Sequence, residues 1–139
     1  MKGWRMLALC VWLSALLTGA GQAQAAGTTV SVGVTFVGAE LVENNHVGNE
    51  WETKLTVNGK PLAEGDTVKL KLKSTDNVKL VAKAEEMDKY PDIGTAETKV
   101  QVSAIGKAKT KKLTVVVTEN RGRYSGSTAT WSFEVELTK

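Results

Sequence analysis

Along most of this chain apolar and polar residues alternate with a period of two, the spacing of a strand buried on one face only. The last stretch, 112–139, shows it best. Leu113, Val115 and Val117 share one face of a first run, and Ala129, Trp131, Phe133, Val135 and Leu137 share one face of a second. A loop with Gly122 and Gly126 separates the runs. β-branched and aromatic residues dominate both, as strands prefer. The pattern predicts a hairpin with Val115 facing Trp131 and Leu113 facing Phe133. Val135 and Leu137 are left to cover another strand, for which the first is the candidate.

The same alternation predicts strands at 28–37, 51–57, 67–73 and 78–84, and a weakly apolar one at 96–103. Their breaks carry turn chemistry. Asn58-Gly59 tolerates two positive φ angles and marks a tight turn. Ser74-Thr75-Asp76-Asn77 turns the chain between two strands that either pair directly or arch to different sheets. No segment after residue 25 has a 3.6-residue apolar period, so no substantial helix is expected. About seven strands at this spacing predict an all-β, single-domain antiparallel β-sandwich, immunoglobulin-like or Greek-key, with a small β-barrel as the alternative.

The first residues follow a different pattern. Lys2 and Arg5 precede an apolar run over 6–17, and Ala23-Gln24-Ala25 is a small-x-small triplet. This order predicts a secretory signal peptide over 1–25 and a β-sandwich domain over 26–139. The expected location is therefore periplasmic or extracellular. Cys10, the single cysteine, falls in the leader, so a disulfide-free domain is expected. The formal charge of +3 includes Lys2 and Arg5. Without them the balance is near neutral and offers no general argument for nucleic acid or an anionic membrane.

With strands alternating in direction, one end of the sandwich should collect loops 58–66, 85–95 and 119–127, and the other loops 43–50, 74–77 and 104–111. The first end gathers acids and amides. Glu85, Asp88, Asp92, Glu119 and Asn120 are candidate oxygen ligands for calcium, which takes six to eight. Lys89, Arg121 and Arg123 lie among them and offer neutralising ion pairs instead. Tyr90, Arg121, Arg123 and Tyr124 are candidates for a ligand-binding surface at this end, toward a protein or glycan of the cell envelope. Lys69, Lys71 and Lys79 are expected on one outward face, and Lys107, Lys109, Lys111 and Lys112 in a second cluster. These clusters hold no interleaved aromatics, which argues against nucleic acid. Trp51 and Trp131 fall in phase with inward positions and read as core.

Catalysis finds no footing. His46 is the only histidine, no G-x-S-x-G is present, and the glycines are dispersed at turns. Val42-Glu43-Asn44 leading to Trp51 and Thr118-Glu119-Asn120 leading to Trp131 form a short quasi-repeat. Gly122-Arg123-Tyr124-Ser125-Gly126, followed by an alternating strand, resembles the terminal strand region of fimbrial subunits, and 28–36 is similar to a donor strand. That resemblance implies an assembling subunit of a surface fibre or coat. The leading expectation is a secreted, non-enzymatic module with a binding or structural role at the envelope, stabilised by calcium if the acidic end holds it.

Overall fold

A computed structural model describes residues 28–139; the expected leader lies outside them. Eight strands form two open antiparallel sheets: β1 (Thr29–Asn44), β2 (Trp51–Val57), β3 (Lys60–Leu62), β4 (Thr67–Lys73), β5 (Asn77–Glu86), β6 (Asp92–Gln101), β7 (Ala108–Thr118) and β8 (Thr128–Thr138). The first sheet has the order β4-β1-β8-β7 and the second β3-β2-β5-β6. This is a β-sandwich; neither sheet closes into a barrel. Two single-turn 3-10 segments, Val102–Ala104 and Gly122–Tyr124, interrupt loops.

The terminal hairpin pairs as its pattern demands, Val115 with Trp131 and Leu113 with Phe133. The other edge of β8 takes β1, with Phe36 opposite Val135 and Val34 opposite Leu137. Phe133 is fully buried and stacks on Phe36, ring centroids 5.8 Å apart. The inward rows Val32, Val34 and Phe36 of β1, Leu55 and Val57 of β2, and Val78, Leu80, Ala82 and Ala84 of β5 complete the core. Trp51 and Trp131 also face inward, edge to face at 5.5 Å, but are only partly covered. Residues 29–36, similar to a donor strand in sequence, lie in mid-sheet with β4 on one edge and β8 on the other.

β4 and β5 do not pair. The 74–76 turn carries the chain from one sheet to the other, so Lys69 and Lys71 lie on a different outer face from Lys79. This corrects the expected single lysine stripe. Direct pairing would also have put Lys71 against Lys79. In the arch, Lys71 faces Ser31 and Lys79 pairs with Glu97 at 3.2 Å. The expected lysine loop over 104–111 is mostly strand. Lys109 and Lys111 are in phase with the buried residues of β7, and charges turned inward on an edge strand discourage pairing with other chains.

One side of the sandwich closes tightly. β6 and β7 are the outer strands of opposite sheets, and they meet where Gly94 crosses Val116. A Cβ on Gly94 would sit 2.3 Å from the Val116 carbonyl oxygen. Small inward residues, Ala82, Ala84 and Ala129, let the backbones come this close.

Candidate functional site

Strand direction brings three loops to one end: 45–50, 87–91 and 119–127. The first of these is a correction, since the sequence reading puts 43–50 at the opposite end. The cause is β3. It has only three residues, includes Pro61, and hydrogen-bonds β2 antiparallel after the Asn58-Gly59 turn. Counting this extra strand reverses the parity of every connection before it. The 58–59 turn moves to the far end, and 63–66 becomes a crossover on the side of the sandwich.

The three loops are tied pairwise by backbone hydrogen bonds or by a buried acid. Asn45 N–H donates to the Thr128 carbonyl and Met87 N–H to that of Glu50. Asp92 Oδ1 accepts from Asn120 Nδ2 at 2.8 Å and from the Asn120 backbone N–H at 3.3 Å. Each loop is also braced within itself. Asn44 accepts from Val47 N–H and donates to the Gly48 carbonyl. The 119–127 loop closes with Glu119 N–H on Ser127 O and Gly126 N–H on Glu119 O.

On this base stands an exposed aromatic and cationic group. His46 has a left-handed backbone, φ +65°, uncommon for a residue with a side chain. Its ring lies nearly parallel to that of Tyr124, centroids 4.5 Å apart. Arg123 approaches the Tyr124 ring at 5.9 Å. Tyr90 carries Arg121 over its face at 4.3 Å and Lys89 at 5.5 Å. Such contacts fix the rings by cation–π attraction while their edges stay in water. Both tyrosines are exposed. A shallow hollow of about 360 Å³ lies beside them, lined by Asn44, His46, Gly48, Asn49 and Tyr124. The four expected ligand residues thus share one end, joined by His46 and Asn49, which the sequence reading left out because it put their loop elsewhere.

The five expected calcium ligands do not converge. Asp92 and Asn120 bond to each other. Asp88 accepts from Tyr90 N–H and Glu119 from Arg121 N–H, each bracing its own turn. Glu85 points to the outer face of the second sheet, paired with Lys83. Among the described residues no three His, Cys, Asp or Glu side chains gather as a metal site would need.

The carboxylate that matters at this end is Glu86, one residue later. It continues the inward row Val78, Leu80, Ala82, Ala84, and alternation carried two residues further would have found it. Glu86 and its cross-strand partner Asp92 are both buried. Glu86 accepts from Asp88 N–H, and Gly48 packs over it so closely that a Cβ there would fall 2.2 Å from Oε1. Loss of water raises the Glu86 pKa above 4.5, and the charges of Asp88 and Glu119 push the same way, against hydrogen bonds from the backbone of Asp88 and Glu50. A folded pKa above the unfolded one gives a stabilising contribution that is full below pH 4.5 and is lost as pH rises through the folded value. In Glu86→Gln that loss should disappear, so its denaturant-unfolding free energy should fall less from acid toward neutral pH than the parent's. Its amide would also offer a donor toward Asp92 Oδ2, which has no protein partner. Parallel pH profiles of parent and variant would refute the assignment.

No helix among the described residues is long and apolar enough to cross a membrane. Comparison of the chain with protein-family models, with curated proteins and with solved structures gave no match.

Proposed function

We propose that this protein is an exported, non-enzymatic recognition module that binds an acidic glycan of the cell envelope on the end formed by loops 45–50, 87–91 and 119–127. The observation that carries the reading is the His46–Tyr124 stack. Two loops distant in sequence are joined by a backbone hydrogen bond, Asn45 N–H to Thr128 O, so that two aromatic rings stand together above a hollow, one of them on left-handed backbone. Strained backbone kept in an ordered loop points to use.

The surrounding chemistry supports a sugar carrying negative charge. The exposed edges of Tyr90 and Tyr124 offer apolar carbon and a phenol hydroxyl to a sugar, and Asn49 offers an amide for its hydroxyl groups. Arg121 and Arg123 present planar forks that match a carboxylate with two parallel hydrogen bonds. The reading is recognition because stacked rings, an amide and guanidinium forks around a shallow hollow are the parts of a binding surface.

The test is titration of uronic-acid oligosaccharides while following tryptophan fluorescence. Trp51 reports on the site because its indole N–H donates to the Gly48 carbonyl at 3.3 Å. Tyr124→Ala should weaken binding by about tenfold or more, since hot-spot aromatics contribute about 2 kcal/mol and up. Its melting temperature should stay close to the parent's, because the side chain is exposed. Arg121→Gln should lower affinity for charged oligosaccharides but not for their methyl esters. Equal affinity of parent and Tyr124→Ala would remove the proposal.

A further inference from the structure

The side of the sandwich away from β6 and β7 is open along half its height. β4 covers the outer edge of β1 from Thr29 to Thr35. The crossover extends this by one residue, with Phe36 N–H donating to Asp66 O and Gly65 N–H to Phe36 O. From Gly38 to Asn44 no strand among the described residues lies on that edge. Across the gap, β3 covers β2 only from Leu55 to Val57. Just below the gap, where the crossover passes β2, a cleft of about 570 Å³ is lined in part by Phe36, Thr53, Lys54, Leu62 and Glu64. The inward residues behind the gap, Ala39, Leu41, Trp51, Leu62 and Trp131, are only partly covered. Val37 and Val42, at the two register shifts of β1, are 45% and 61% exposed.

We propose that the Gly38–Asn44 edge of β1 is a docking site for an extended segment of a partner protein in which lysine or arginine alternates with apolar residues. Three observations select that occupant. The same edge, lower down, already holds such a strand: in β4, Val68, Leu70 and Leu72 face inward and Lys69, Lys71 and Lys73 outward. The bare stretch carries Glu40 and Glu43 on β1, with Glu64 beside it on the crossover; Lys112 lines a hollow with Glu40 on the outer face and is itself paired with Glu134. Glu64 leans over the lower end, its Oε1 3.0 Å from where a Cβ on Gly38 would lie. Behind the edge Ala39, Leu41 and the half-covered tryptophans offer apolar contact for the alternate side chains.

An added strand gains main-chain hydrogen bonds along the edge and selects its sequence through alternate side chains. Edge strands are usually guarded by charged side chains, proline, bulges or a covering element. The charges on this stretch are glutamates, which oppose an acidic strand and attract a basic one, and its bulges at Val37 and Val42 leave Gly38–Leu41 as the regular part of the edge. The inference is independent of the glycan reading, which concerns the end of the sandwich.

The probe is a blocked synthetic peptide with the sequence of β4, Thr-Val-Lys-Leu-Lys-Leu-Lys, titrated into the intact protein with amide hydrogen exchange read by residue. Saturable binding with new protection confined to 38–44 is expected. The combined variant Glu40→Lys, Glu43→Lys, Glu64→Lys should lose about tenfold or more in affinity. Glu136→Lys, on the outer face of the first sheet, should leave it unchanged. A peptide that keeps the lysines but has serine at the three apolar positions should fail to protect 38–44. Four results would overturn the proposal: no binding, equal protection by the serine peptide, loss of protection in β4 showing that the peptide has replaced it, or protection of 38–44 that grows with protein concentration alone and so identifies a second copy as the occupant.

Discussion

Replacing Phe133 by alanine should lower the free energy of unfolding by about 3–5 kcal/mol. The residue is fully buried in mid-sheet, with Ala39 on one neighbouring strand and Leu113 on the other. Its ring stacks on Phe36 with 8° between the planes. Removing it takes away the transfer free energy of a whole aromatic ring and leaves a void between two strands that are hydrogen-bonded in place and cannot close in. The lost aromatic pair adds about 0.5–1.5 kcal/mol within that range. Against a typical total of about 5–15 kcal/mol, that is a large share of the stability. Denaturant unfolding at unchanged slope is the check. Trp131→Ala should cost less although tryptophan is larger, because Trp131 is only partly covered. A greater loss at Trp131 than at Phe133 would mean that the open side of the sandwich is closed in solution.

Gly94→Val should destabilise by about 3 kcal/mol or more, beyond most overpacking substitutions. The reason is space and not backbone conformation. The new Cβ would meet the Val116 carbonyl oxygen at 2.3 Å, its carbonyl carbon at 2.9 Å and Val117 Cγ2 at 2.9 Å. Two of these atoms are backbone, so no rotamer change relieves the contact. β6 and β7 would have to part, which would open the closed side and expose Val117 and Ala84. Gly65→Ala is the comparison: it has a positive φ of 84° but nothing within 4 Å of the added Cβ. It should lose only the cost of left-handed backbone, about 1–2 kcal/mol. Thermal unfolding of the two variants ranks them, and a milder effect at Gly94 would show that the sheets are not in contact there.

Most of the fold could be read from period-two alternation because the sheets are half-buried, so each strand announces its inner face. The hairpin register followed from matching the large residues of 113–117 and 129–137. What alternation could not show was β3. Lys60-Pro61-Leu62 is too short to display a period, and proline reads as loop although an edge strand tolerates it. That one omission moved loop 43–50 to the wrong end and hid His46 from the site. Glu85 stands out over Glu86 in the sequence for a related reason: the fourth predicted strand ends at residue 84, while the ladder runs on to Glu86 opposite Asp92. Tyr90, Arg121, Arg123 and Tyr124 were found together because their two loops are separated by an even number of strands, which a missing strand further upstream does not disturb. The sheet-to-sheet arch at 74–76 was left open in the sequence because direct pairing and arching satisfy the same alternation; only the like charges of Lys71 and Lys79 spoke against pairing.

Ligand recognition is proposed for the three-loop end. Amide chemical-shift mapping during titration with a uronic-acid oligosaccharide tests it most directly, because it needs no variant. Saturable shifts confined to 45–49, 89–91 and 121–125 are expected, with the indole N–H of Trp51 among them and the lysine-bearing β4 unmoved. Shifts centred on Lys69, Lys71 and Lys73, or a spectrum unchanged at saturating oligosaccharide, would contradict it.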